Sequence, residues 1–194
     1  NRRLHVCHLS DMLGVALVRK AKERRQAVTA GVTPHHLFLK ESDLEKLLSL
    51  SEVKPPIQGK ETQASLWEAL KDGTIDVVES DHAPHTKEEK VRSTPVFGVP
   101  GLETTTGLLM HAVVDGALQL DDVVALVHDR PKKIFAIPDQ QETFIELDPQ
   151  KPYTVGADGY ETKCGWSPYD GWELQGKIER VVLRGRELVR NGAV

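Results

Sequence analysis

Strand and helix patterns alternate through residues 3–79, and this alternation limits what the chain can fold into more than any other feature. Residues 3–9 alternate apolar and polar side chains as a strand does, and Ser10 or Asp11 then caps a helix running to about residue 25. The apolar positions Leu13, Ala16, Leu17 and Ala21 of that helix recur at helical spacing, and basic residues load its last turn. Residues 27–32 read as a second strand. Ser42 with Glu45 reads as a capping box for a short helix to Leu50, and Lys54-Pro55-Pro56 as a loop. A helix over 62–71 ends at Gly73, and residues 75–79 make the third strand. Such a succession means parallel strands joined by crossover helices. Three such units cannot close an eight-stranded α/β barrel, which takes about 250 residues. The pattern therefore leaves a small open sheet or the last third of a barrel.

Past a long loop over 81–101 come helical segments at 103–115, 121–127 and 131–135. From Thr143 the texture changes to short strands with Pro and Gly turns, among them a hairpin of 177–183 with 187–189 across Arg184-Gly185-Arg186. This places a domain boundary between residues 142 and 143. The first residue is not Met, and the chain enters a strand pattern at once. That start reads as the cut end of something longer.

Composition matters here for what it excludes. A formal net charge of -4 offers no basic face for nucleic acid. No apolar run approaches the roughly 18 to 20 residues that span a bilayer. Cys7 and Cys164 form no CxxC pair, which fits free thiols in a reducing compartment, so the cytoplasm is the expected location.

The stretch with most chemistry is Ser80-Asp81-His82-Ala83-Pro84-His85-Thr86. It joins one carboxylate to two imidazoles directly after the third strand, where α/β folds place their active groups. An Asp there can ligate a metal or shuttle a proton. Read on its own, the same stretch could equally be a helix N-cap with surface histidines.

With its surroundings the stretch becomes specific. Residues 76–90, followed by Phe97-Gly98-Val99-Pro100-Gly101-Leu102-Glu103-Thr104, closely resemble the dihydroorotases of the class I bacterial type and of the animal multifunctional pyrimidine-synthesis protein. His5-Val6-Cys7-His8-Leu9-Ser10, Val32-Thr33-Pro34-His35-His36-Leu37, Trp67-Glu68-Ala69-Leu70-Lys71-Asp72-Gly73, Gly165-Trp166-Ser167-Pro168-Tyr169 and Val181-Val182-Leu183-Arg184-Gly185 agree in the same order. The resemblance implies an α/β fold: the carboxyl-terminal portion of a (β/α)8 amidohydrolase barrel over 1–142, plus part of a small β-sandwich domain over 143–194. It implies a cofactor of two zinc ions per complete site. The implied activity is the reversible cyclisation of N-carbamoyl-L-aspartate to L-dihydroorotate, through a zinc-bound hydroxide with Asp81 as general acid/base. By the same resemblance, His8 and Asp81 ligate metal. Lys54, His85, Phe97 and Gly98 then bind substrate, with Lys54 standing where relatives carry Arg or Asn. The partners implied are the small-molecule substrate, aspartate transcarbamoylase and further copies of the chain.

Other histidines read more plainly. His5 lies on the strand face opposite His8 and is structural; adjacent His35 and His36 diverge in direction, and the resemblance implies that they pack or support the metal ligands rather than ligate. His111 and His128 sit in helices as packing or surface residues, and Cys7 reads as a small buried side chain. No His-x-His pair, bridging lysine or further strand histidine is present, and Ala30-Gly31 replaces a Cys-Glu pair of some relatives. Two ligands do not complete a zinc site, so this chain alone is expected to lack tight zinc and activity. A non-catalytic scaffold domain and a sister hydantoinase or allantoinase are the competing readings.

Overall fold

A computed structural model describes residues 2–94 and 96–194. Three strands, β1 (Leu4–Val6), β2 (Val28–Val32) and β3 (Val77–Val78), form a parallel sheet in the order β1-β2-β3. The intervening chain supplies α1 (Met12–Glu23), α2 (Pro34–Phe38), α3 (Glu41–Leu47) and α4 (Lys60–Lys71). The Asp11 side chain accepts from the Gly14 N–H and starts α1, as expected of an N-cap carboxylate. The cap of α3 falls earlier than the sequence pattern indicates. The Lys40 N–H donates to Asp43 rather than Ser42 pairing with Glu45, and a 3-10 turn over Leu48–Ser51 finishes the segment.

The sheet is held at its base by Asp76, whose carboxylate accepts from the Ala30 N–H and pairs with Lys22 Nζ at 2.6 Å. The helices cover one face. Val15 and Val18 of α1 with Leu66, Ala69 and Leu70 of α4 pack on Ala30, Val32 and Val78. Each fully buried Leu contributes about 1.5–3 kcal/mol. The helix therefore buries the Val15–Val18 side, whereas Leu13 and Leu17, apolar at helical spacing, stand 70% and 59% exposed. Cys7 is likewise exposed rather than buried. Side chains alternate across a strand, and Cys7 lies on the face opposite Val6, away from the helices.

The loop after β3 contains a single helical turn, α5 (Lys87–Lys90), and leads to α6 (Leu102–Val114). Then α7 (Leu120–Val124), a π-turn over Ala125–Asp129 and α8 (Arg130–Ile134) run together. The remainder is an antiparallel sheet of β4 (Phe144–Thr154), β5 (Glu173–Leu183) and β6 (Arg186–Arg190), with the β5–β6 turn over the expected residues. Leu108 of α6 packs with Leu174 of β5, Val155, Tyr169 and Leu39, so one apolar cluster joins the antiparallel sheet to α6 and to the segment after α2. A third cluster of Val53, Val99 and Trp166 gathers three loops, and Trp166 Nε1 donates to the His85 carbonyl at 2.7 Å. These contacts bring the loops onto the carboxyl ends of the parallel strands.

Candidate active site

The parallel strands end in residues whose backbone is unusual. His8, just past β1, has φ 39°, and Asp81, just past β3, has φ 44°. Side chains other than glycine adopt this left-handed region at a cost of about 1–3 kcal/mol, and such residues cluster at functional sites. Both sharp turns redirect a polar side chain at the strand ends. The His8 turn is held by Glu79, whose carboxylate accepts the His8 N–H.

Gly31 makes that contact possible. A Cβ at Gly31 would lie 2.5 Å from Glu79 Oε1, so the carboxylate of β3's flank occupies the place a side chain on β2 would take. Glu79 Oε2 also lies 3.7 Å from His5 Nε2. His5 is fixed by a 2.8 Å hydrogen bond between Nδ1 and Thr29 Oγ1 and by edge-on packing against Phe135. One donor atom each from His5, Cys7 and Glu79 lies within 4.8 Å of the others. Loss of part of its water, followed by the charges of Glu79 and Asp81, pushes the thiol of the otherwise exposed Cys7 up.

His35, read from sequence as packing or as support for the metal ligands, comes to Asp81. Its Nε2 stands 3.9 Å from Asp81 Oδ2, too long for a hydrogen bond. Burial, and then the neighbouring His36 and His8, lower the His35 pKa to about 3, so its imidazole is neutral near pH 7. His35 Nε2 and His8 Nδ1 are buried with no hydrogen-bond partner among the described residues. Each orphaned buried group costs about 1–3 kcal/mol. Imidazole nitrogen and carboxylate oxygen are the donors that zinc takes, so the residues present fit such an ion. His36, by contrast, is fully engaged. Nδ1 pairs with Thr33 Oγ1 at 2.7 Å and Nε2 with the Pro55 carbonyl at 3.1 Å. The carbonyl can only accept, which puts the His36 proton on Nε2, and burial lowers its pKa.

The other expected residues form a second group. Lys54 Nζ stands 3.9 Å above the Phe97 ring, a cation–π contact. Gly98 has φ 128° and lies against Ala83, where a Cβ would come within 2.5 Å, so only glycine fits that crossing of the two loops. His85 Nδ1 lies 3.5 Å from Glu89, which also closes a capping box with Thr86 at the start of α5. His82 points elsewhere: its Nδ1 accepts from the Gly101 and Leu102 N–H groups at 3.3 and 3.1 Å, and so anchors the loop to the start of α6. The structure therefore sets His35 beside Asp81, places His8 at the end of another strand of the same sheet, sets Lys54 beside Phe97, and holds His85 through Glu89 and Trp166. Glu79 was read only as the end of a strand. Its parity with Gly31 across the β2–β3 pairing was the available signal.

No protein-family model matches the chain. It is 40% identical, over its whole length, to 9% of the multifunctional protein CAD of Squalus acanthias. It is 37% identical to a dihydroorotase of Pyrococcus furiosus, over 98% of this chain and 46% of that protein. Among solved structures, an L-hydantoinase (dihydropyrimidinase) from Arthrobacter aurescens superposes with a TM-score of 0.90 at 29% identity, over 99% of this chain and 46% of that one. The inactive dihydroorotase-like domain of a Chaetomium thermophilum CAD-like protein superposes with a TM-score of 0.81 at 28% identity, over 100% of this chain and 53% of that one. The chain thus spans about half the length of the dihydroorotase it matches. No helix among the described residues is long and apolar enough to cross a membrane.

Proposed function

We propose, for a chain that belongs to the dihydroorotase-like amidohydrolases and carries part of their α/β barrel, that it supplies the carboxyl-terminal strand ends of a zinc dihydroorotase. In this reading the barrel part runs over 1–142 and the small β domain over 143–194. The observation that carries it is the placing of His8 and Asp81, each on a left-handed backbone just past a parallel strand, with His35 Nε2 3.9 Å from Asp81 and His35 Nε2 and His8 Nδ1 buried without a hydrogen-bond partner among the described residues.

His8 and Asp81 would hold zinc, which when bound supplies a Lewis acid for the ring amide and an acidified water. Two ligands leave the coordination incomplete, so the remaining donors belong to other parts of the complete protein. The Asp81 carboxylate takes a proton from the attacking water and passes it to the departing ring nitrogen of dihydroorotate. In the cyclising direction it removes the proton from the carbamoyl nitrogen. Neutral His35 stands beside Asp81 without bringing a positive charge to it. Lys54 meets the substrate carboxylate as a point charge. The Phe97-Gly98 backbone and the His85 ring bind the heterocycle. By the same reading the complete protein works beside aspartate transcarbamoylase and as a homo-oligomer, in the cytoplasm.

The test is cyclisation of N-carbamoyl-L-aspartate by the complete natural polypeptide that contains this chain, beside Asp81→Asn. Loss of about 10²- to 10⁴-fold in kcat on Asp81→Asn supports the reading. Hydantoin or allantoin turnover without dihydroorotate formation would move the protein to a sister activity. Likeness to an inactive dihydroorotase-like domain favours one further reading, a scaffold without turnover. Absence of all three activities in a zinc-loaded preparation would establish it.

A further inference from the structure

Lys90 closes a short charged run, Lys87-Glu88-Glu89-Lys90, that reads as solvent-facing, yet its side chain is only 1% exposed. A buried ammonium is costly unless its donors are met. Here all three are. Nζ donates to the Glu52 carbonyl at 2.6 Å, the Gly98 carbonyl at 2.9 Å and the Val96 carbonyl at 3.1 Å. The Glu52 carbonyl also accepts the Gly98 N–H at 3.0 Å. One cation therefore ties the segment that carries Lys54 to the segment that carries Phe97. The Lys54 ammonium above the Phe97 ring is the exposed side of the same junction. In a trans peptide the carbonyl and the following N–H point in opposite directions. A Val96 carbonyl turned to Lys90 thus turns the Phe97 N–H away from the ammonium.

We infer that Lys90 is a positioning residue, whose three hydrogen bonds hold residues 52–54 and 96–98 as one rigid ligand-facing loop. In its consequence for substrate this rests on the dihydroorotase reading; in its consequence for loop order it does not. Arginine does not substitute. A planar guanidinium spreads its donors in a fork, whereas the three carbonyls converge on one atom.

The experiment uses the complete natural polypeptide, loaded with zinc, as wild type, Lys90→Met, Lys90→Gln and Lys90→Arg. It reads KM and kcat for carbamoyl aspartate and hydrogen exchange at the amides of residues 52–54 and 96–99. Lys90→Met is expected to raise KM about tenfold or more, with kcat changed much less. Exchange at both segments is expected to quicken together, while the β2 amides keep their protection. Lys90→Arg is expected to restore neither. Rescue by Lys90→Arg, an unchanged KM, or exchange that quickens in only one segment or throughout the fold would overturn the inference. Should Lys90→Met fail to fold, Lys90→Gln, which keeps two donors, is read by the same criteria. A wild type without turnover would sink the dihydroorotase reading alone, and the exchange pattern would then decide the role of Lys90.

Discussion

The ends of the parallel strands and the antiparallel sheet of β4–β6 treat their polar groups in opposite ways. Along the parallel strands and just past their ends, His5 Nε2, His8 Nδ1 and His35 Nε2 are buried without hydrogen-bond partners among the described residues. In the antiparallel sheet the charged side chains pair off. Arg180 reaches Glu146 and Glu187, Lys177 reaches Asp158 at 2.9 Å, and Lys151 reaches Glu179. Most of these groups also remain in water. The difference separates a region that keeps buried polar atoms unmet from one whose charges are answered; left-handed backbone is common to both, since Arg184 and Asn191 beside the antiparallel strands adopt it as His8 and Asp81 do.

Substitutions can break this contrast. The largest expected effect is at the strand ends: His8→Ala in the complete polypeptide should weaken zinc binding at least about a hundredfold. Metal titration measures this, and denaturant unfolding of the metal-free protein should show no matching loss of stability. An equal loss of stability would make His8 a structural residue after all.

Acid comes next. His35, with its pKa lowered from 6.5 to about 3 by burial, binds a proton more readily unfolded than folded. Stability is therefore highest above pH 6.5 and falls as pH drops from 6.5 towards 3. His36, lowered in the same direction, adds to the fall. Unfolding free energies at several pH values should show the slope, and His35→Asn should flatten it.

A smaller effect is expected at Glu79. Glu79→Ala leaves the His8 N–H without its acceptor and should cost about 1 kcal/mol, measured by urea denaturation, whereas Glu79→Gln, which keeps an acceptor oxygen, should cost less. The smallest belongs to the antiparallel sheet. Arg190→Ala, which removes an exposed ion pair to Glu187, should leave the unfolding midpoint unchanged. A clear loss there would mean that the sheet depends on its surface charges.

What could be read from sequence, and what could not, follows from the range of the forces involved. Asp11 as a cap, Gly73 as a stop and the alternation of strand with helix are decided within a few residues, and all three stand. The buried face of α1 is not decided locally. Val15 and Val18 recur at helical spacing as well as Leu13 and Leu17 do, and only the position of the sheet selects between them. The place of Asp81 just past a strand was legible because its motif is contiguous with that strand. Its neighbour His35 was not, because 46 residues of chain separate them and the 3.9 Å approach is made by the fold. Lys90 was hidden for a related reason: its three acceptors are backbone carbonyls, which leave no mark on composition.

The carboxylate of Glu79 lying over Gly31 also has a meaning for descent. While Glu79 is present, any side chain at position 31 intrudes on it at 2.5 Å. Without Glu79, the His8 amide has lost its acceptor. A side chain at position 31 displaces the Glu79 carboxylate from the His8 amide, so the effects of substitutions at the two positions are non-additive. A lineage that gains a side chain at position 31 while Glu79 remains passes through an intermediate in which that carboxylate has swung away and the His8 amide has lost its acceptor.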